Sequence, residues 1–493
     1  MFLAVVSWSV FGLVNADVPE SSRVVNVANR KATSRRISSH HYNLGSRSCA
    51  ASACHGSIKA DETNDDLIRR DEYLIWQKSD PHETSFRTLS SKLGLEMFHR
   101  LGVTDVSGRA LPDKEDEYLA QYNNCLNCHA TKIGSRERSY VMEGVSCESC
   151  HGSASEWRVT HYQESFSELS DHEKSSTGYR NLQDHDLVAQ RCVSCHIGSD
   201  QANVNHDLIA AGHPALRFEL TAYLDQYPKH WKHRGESHKT DGAEAWFTGQ
   251  TVSATAALQQ LLRRANTDSE HHAVWPELSE FNCYACHHQL SGDSWRMTTT
   301  FGSSSLKGNE WYVFGLYTIA LQRKQTGDER AAMFCQKMDS LNEILGRGWS
   351  SDQQSLEASV REALGALERW LKSIDKSEFT AEFLIAAWSE AVSEDHGVLL
   401  ESWDRATQAY LALYALNEES NDGDGAKILD NLESMRELLS FPNEGSRQLN
   451  SPRDFHGELK SNSPEDNSNS TNREKIRSLM NSILKALNSK HEG

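Results

Sequence analysis

Ten of the eleven cysteines fall into five pairs, and a histidine follows the second member of every pair. The segments are Cys49-Ala-Ala-Ser-Ala-Cys54-His55, Cys125-Leu-Asn-Cys128-His129, Cys147-Glu-Ser-Cys150-His151, Cys192-Val-Ser-Cys195-His196 and Cys283-Tyr-Ala-Cys286-His287. Two thiols so spaced can add to the two vinyl groups along one side of a porphyrin, while the adjacent imidazole swings beneath the ring to ligate iron. That is the attachment signature of haem c, with a looser first copy. Zinc clusters and structural disulfides also use paired cysteines, but neither requires a histidine at one fixed place. With 23 histidines in 493 residues, five such placements by chance have a probability below about one in a million. The expectation is five covalent haem c groups, with His55, His129, His151, His196 and His287 as proximal iron ligands. Cys335 stands apart in a helical stretch and reads as a small buried apolar residue.

A sixth ligand decides whether a haem only carries electrons or keeps a position open for a substrate. The candidate distal ligands among the motifs are His82, His99, His161, His206 and His213. His206 and His213, in VNHDLIAAGHPAL, are seven residues apart, about two helical turns, which would set both rings on one helix face to serve two neighbouring haems. His230, His233, His238, His271 and His272 lie in polar, loop-like stretches and read as solvated or propionate-contacting groups. His288, directly after the last proximal ligand, reads as a surface group or as a distal ligand for an adjacent haem, the former favoured.

The stretch GVSCESCHGSASEWRVTH, Gly144 to His161, resembles the third haem segment of the cytochrome c-554 family, periplasmic tetrahaem electron carriers of ammonia oxidation. WQKSDPHETSF resembles that family's tryptophan and distal-histidine segment, NNCLNCHAT its second haem site and QRCVSCH its fourth. The resemblance runs from about Arg47 to Gly198. It implies that His82, after Trp76, and His161, after Cys150-His151, are distal ligands. It also implies that the haem on His129 is five-coordinate, which makes that haem the candidate open site. The wide first motif departs from the family pattern, as does an added region from Asn203 to Leu290 that supplies the fifth haem.

The elements that must position these residues read as mainly α: a multihaem cytochrome c module with little sheet, followed by a haem-free helical bundle. Few runs alternate at period two between the motifs, whereas Ala254, Ala257, Leu258, Leu261 and Leu262 recur at helical spacing and predict an amphipathic helix over 251–264. Beyond Asn309, Leu356, Val360, Ala363, Leu364, Leu367, Trp370 and Leu371 form one helical stripe, and Trp403, Ala406, Tyr410 and Leu413 form another. The expected organisation is a signal peptide over 1–16, a flexible linker over 17–46 and a pentahaem domain over 47–300. A bundle over 306–440, a disordered linker over 441–472 and a short helix over 473–489 follow. The apolar run MFLAVVSWSVFGLVNA lacks the usual basic n-region, but its Val14-Asn15-Ala16 ending suits cleavage before Asp17, so the mature chain is expected to be periplasmic or otherwise exported.

A formal charge of −18 argues against nucleic acid as a partner and favours basic protein faces. The leading functional expectation is electron transfer through five haems between redox partner proteins. The alternative is an oxidoreductase acting on a small nitrogen or sulfur compound at one five-coordinate haem. The bundle is expected to dock a redox partner or a membrane complex, and to be removable beyond Asn309 without disturbing the haem spectrum.

Overall fold

The computed structural model describes residues 41–61, 68–134, 141–232, 242–266, 275–281, 308, 310–347, 352–393, 402–417, 425–439 and 472–491. The expected leader, most of both expected linkers and the fifth haem motif lie outside the described residues. The protein is mainly helical with little sheet. Among the described residues the sheet is one antiparallel pair, β1 (Thr131–Ile133) with β2 (Val141–Glu143).

The N-terminal half is built of short helices, three of which end on a haem motif. Asp80 separates α1 (Glu72–Ser79) from α2 (Pro81–Thr88); its side chain accepts from the His82 N–H, and Pro81 starts the helix where no N–H is needed. After α3 (Lys92–Arg100), α4 (Glu115–His129) opens on Glu115, Asp116 and Glu117, which suit the positive end of the helix dipole, and closes on the second motif. The third motif is all of α5 (Cys147–His151). Gly152 ends that helix at φ 88°, where a Cβ would lie 2.0 Å from the Gly178 carbonyl oxygen, so only glycine fits. α6 (Glu164–Ser167) and α7 (Asp171–Ser176) precede α8 (His185–His196), which Asp184 caps and the fourth motif closes. In a helical turn, cysteines at i and i+3 and a histidine at i+4 share one face, so each motif presents thiols and imidazole together.

Side chains build little core of their own here. α1, α2 and α4 bury no residue, and Ala154, Trp157 and Phe166 make a small cluster. The C-terminal half is the reverse. α9 (His206–Ala211) and α10 (Leu220–Gln226) lead to α11 (Gly242–Ala265), longer than the expected amphipathic helix and buried along most of its length. It lies between α8 and the helices α12 (Glu310–Gln325) and α14 (Gln353–Leu371), with α13 (Glu329–Leu345) packed against both of the latter. α15 (Ala381–Val392), α16 (Trp403–Asn417), α17 (Gly425–Leu439) and α18 (Asn472–His491) complete the bundle. Leu356, Val360, Ala363, Leu364, Leu367 and Trp370 are all buried, as is Cys335.

One apolar core runs from Ala189 and Val193 of α8 through Trp246 and Trp311 to Leu487 of α18. The bundle also grips the chain between Leu216 and Asp225. The Arg217 guanidinium sits 5.1 Å from the Trp311 ring and 4.7 Å from the Trp403 ring and pairs with Asp404. Trp311 Nε1 donates to the Phe218 carbonyl at 2.9 Å, Tyr312 Oη lies 2.9 Å from the Leu216 carbonyl oxygen, and Tyr414 donates to Asp225 at 2.9 Å.

Candidate haem centres

The four described motifs are brought together in two couples. Glu148, inside the third motif, is buried and accepts from the backbone N–H groups of Leu44, Gly45 and Ala154. It thereby ties the strand of chain entering the first motif to α5, which sets Cys49 beside Cys147. Asn124 and Asn127 of α4 donate to the carbonyls of Asn203 and Gln201, beyond the fourth motif, and Cys128 meets Cys195. The two extra residues of the first motif are taken up in a turn: the N–H groups of Cys54 and Gly56 both donate to the Ala51 carbonyl, at 2.8 and 3.0 Å.

Each described proximal histidine faces a second histidine. The ring centroids of His55 and His161, His82 and His196, His129 and His213, and His151 and His230 are in every case 6.2 Å apart. An iron held by one nitrogen of each ring, at a metal–imidazole distance of about 2.0 Å, calls for a centroid separation of about 6.3 Å. The interplanar angle is 17° for the first of these pairs and 85°, 86° and 73° for the others.

In six of these eight rings the remaining nitrogen is anchored, as ligating histidines require. His55 Nδ1 lies 3.2 Å from Glu72 Oε2 and His82 Nδ1 2.9 Å from Asp80 Oδ1. Main-chain carbonyls serve four more: Ser85 for His129 at 3.2 Å, Arg158 for His161 at 2.8 Å, Pro214 for His213 at 2.8 Å, and Pro228 for His230. With Nδ1–H donating to these acceptors, Nε2 is the nitrogen left for a metal. Burial pushes His151 and His196 down to about 4 and also lowers His129, His161, His213 and His230. These rings are therefore neutral at neutral pH, the form that binds a metal. The hydrogen bond to Glu72 instead raises His55. Paired thiols, facing imidazoles at iron spacing and a half with few apolar side chains of its own all fit haem c.

Residues 48–152, which hold the first three motifs, match the model of the family described as cytochrome c554 and c-prime. This segment is cytochrome c554-like. No curated protein and no solved structure matches the chain. Among the described residues no helix is long and apolar enough to cross a membrane.

Two expected features come out differently. The haem on His129 was expected to be open, but the ring of His213 stands opposite His129 just as His82, His161 and His230 stand opposite their partners. His206 and His213 do not share a helix face, because Gly212 adopts φ 121° and ends α9 between them. His206 begins α9, its N–H donating to Glu277 Oε1 at 2.8 Å, and its ring is in none of the four pairs. His99 is exposed, with Nδ1 3.1 Å from the Thr104 carbonyl oxygen, and is likewise outside the pairs. Cys283, Cys286, His287 and His288 lie outside the described residues. His230, which the sequence reading left to solvent or propionates, is the partner of His151. Its signal was the aromatic flank, since Tyr227 and Trp231 pack on its ring at 5.8 and 5.2 Å.

Proposed function

We propose that the protein is an exported c-type cytochrome that transfers electrons through five covalently bound haems, four of them held between two histidines. Haem c supplies a reversible one-electron couple at its iron. The chain does the rest. Cys49 and Cys54, Cys125 and Cys128, Cys147 and Cys150, Cys192 and Cys195, and Cys283 and Cys286 hold the five porphyrins, and the proximal histidine of each motif orients its iron. His161, His213, His230 and His82 would each supply a second imidazole nitrogen to one of the first four. The single observation that carries this reading is the recurrence of the same 6.2 Å histidine pairing at all four described motifs.

Two ligands on each of these irons favour a carrier over an enzyme, since a substrate would have to displace an anchored imidazole. The thiol contacts couple the first motif to the third and the second to the fourth. Tyr227, packed on both His82 and His230 at 5.9 and 5.8 Å, joins the fourth to the third. The attachment segments are thus in the order first, third, fourth, second. With a formal charge of −18, the partner is a redox protein that docks through a basic face, and the bundle offers a surface for peripheral association with a membrane complex. Intact-mass spectrometry of protein made in a host competent for haem attachment, followed by a spectroelectrochemical titration, tests the reading. Five added haems, reduced and reoxidised reversibly, are expected. A chain without added haem, or haems that cannot be reduced reversibly, would overturn it.

A further inference from the structure

Asp80 is buried at the junction of α1 and α2, and both of its carboxylate oxygens are engaged. Oδ1 accepts from the His82 backbone N–H at 2.9 Å and lies 2.9 Å from His82 Nδ1, while Oδ2 accepts from the Tyr227 hydroxyl at 2.6 Å. The other three distal rings turn Nδ1 to neutral carbonyls, those of Arg158, Pro214 and Pro228. A carboxylate is the stronger acceptor, because the hydrogen bond it accepts is charge-assisted. It draws the Nδ1 proton towards itself and leaves more electron density on the nitrogen that faces the metal. Such partners tune a haem's potential through its ligand.

We propose that Asp80 sets the potential of the haem held by His196 and His82, and that the Tyr227 hydroxyl limits how strongly it does so. The inference rests on the reading of His82 as an iron ligand. An electron-rich imidazole stabilises ferric over ferrous iron, so Asp80 lowers that haem's potential relative to one with a carbonyl-anchored ligand. Tyr227 donates to the carboxylate oxygen that His82 does not use and thereby withdraws charge from the His82 side. Asp80 is a positioning residue as well, because the same oxygen that meets the ring caps α2 and fixes the backbone at His82. One side chain therefore sets both where the ligand sits and how much charge it pushes.

The two neighbours of one ligand must then act with opposite sign. In the full haem-loaded protein, Asp80→Asn keeps a capping oxygen but removes the charge. It should shift one haem towards ferrous by about tenfold, or about 59 mV for a one-electron couple. Tyr227→Phe should shift the same haem towards ferric by a smaller factor, and the double variant should match Asp80→Asn alone, since Tyr227 acts through the carboxylate. Potentials come from spectroelectrochemical titration, and electron paramagnetic resonance confirms that the haem stays low-spin. Shifts of the same sign, additive shifts, or no shift in low-spin protein would overturn the proposal. His82→Ala separates this from the underlying reading: if no haem becomes high-spin in that variant, His82 is not a ligand and the reading itself has failed.

Discussion

Replacing His213 with alanine removes one ring from one pair and touches no other. The planes of the His129 pair cross at 86°, those of His82 with His196 at 85° and those of His151 with His230 at 73°, whereas His55 and His161 are 17° from parallel. Crossed imidazoles donate equally into the two π-type d orbitals of iron and leave them nearly degenerate; parallel ones split them. The frozen ferric protein should therefore give, from these four haems, one rhombic low-spin signal and three signals with a single large g value. In His213→Ala, one third of the large-g intensity should disappear and return as one high-spin centre of equal spin count. The rhombic signal should keep its full intensity, and the fifth haem contributes equally in both proteins. Quantitative electron paramagnetic resonance with spin counting reads all three numbers. Were the haem on His129 open, the unmodified protein would already hold that high-spin centre and His213→Ala would leave the spectrum unchanged, which would refute the pairing.

Arg217→Ala withdraws a guanidinium from buried Asp404 and from between two tryptophans, at a cost of about 3–5 kcal/mol. Thermal unfolding followed at the haem absorbance and in the far ultraviolet should fall together in this variant; a haem transition that stays in place while the helical one drops would show the two halves to be uncoupled. Ending the chain at Asn309 removes Trp311 and Tyr312, which hold Phe218 and Leu216, and should disturb the haem on His196. An unaltered haem spectrum in the truncated protein would restore the separable bundle expected from sequence. Burial holds the Glu219 carboxyl above the ordinary glutamate range. Its protonated form is thus favoured in the folded state, and the stability it contributes is full below about pH 4.5, the usual glutamate value, and lost as pH rises through the raised folded value. Glu219→Gln, which cannot titrate, should gain on the unmodified protein across that window and level off above it. Denaturant unfolding at a series of pH values checks this, and a pH-independent difference would exclude it.

The haem motifs are legible in the sequence because covalent attachment is local chemistry: Cys192, Cys195 and His196, proposed to serve one porphyrin, sit within one helical turn. The helical stripes of the bundle are legible for the same reason, as their period is a property of each helix alone. Distal ligands are not local. His129 and His213 meet only because α4 and the segment after α9 are brought together, and spacing along the chain says nothing of that. Spacing even misled, since the seven-residue separation of His206 and His213 has helical meaning only if the helix continues, and Gly212 stops it. The resemblance named His82 and His161, whose rings stand opposite His196 and His55, but assigned His129 an open face, and there the segment this chain adds after the fourth motif sets His213. His230 was passed over because its stretch is polar, although the aromatic residues on either side set it apart from His233 and His238.

The coupling between halves was the least legible feature, and α8 explains it. One side of this helix carries Cys192, Cys195 and His196; another carries Ala189 and Val193 into the continuous apolar core. The His196 ring is packed by Phe218 at 5.6 Å and Tyr223 at 5.1 Å, and the Phe218 carbonyl is held by Trp311 of the bundle. A ligand so braced has little freedom to move when the charge on its metal changes, because close-packed interiors transmit displacement rather than absorb it. The opposite ligand, His82, is fixed by Asp80 and Tyr227. The facing rings of His196 and His82 are thus both braced by groups outside the c554-like segment and the motif itself, from Tyr227 on one side to the bundle on the other. The four described attachment segments and the C-terminal bundle are thus joined through α8 and the chain between Leu216 and Asp225.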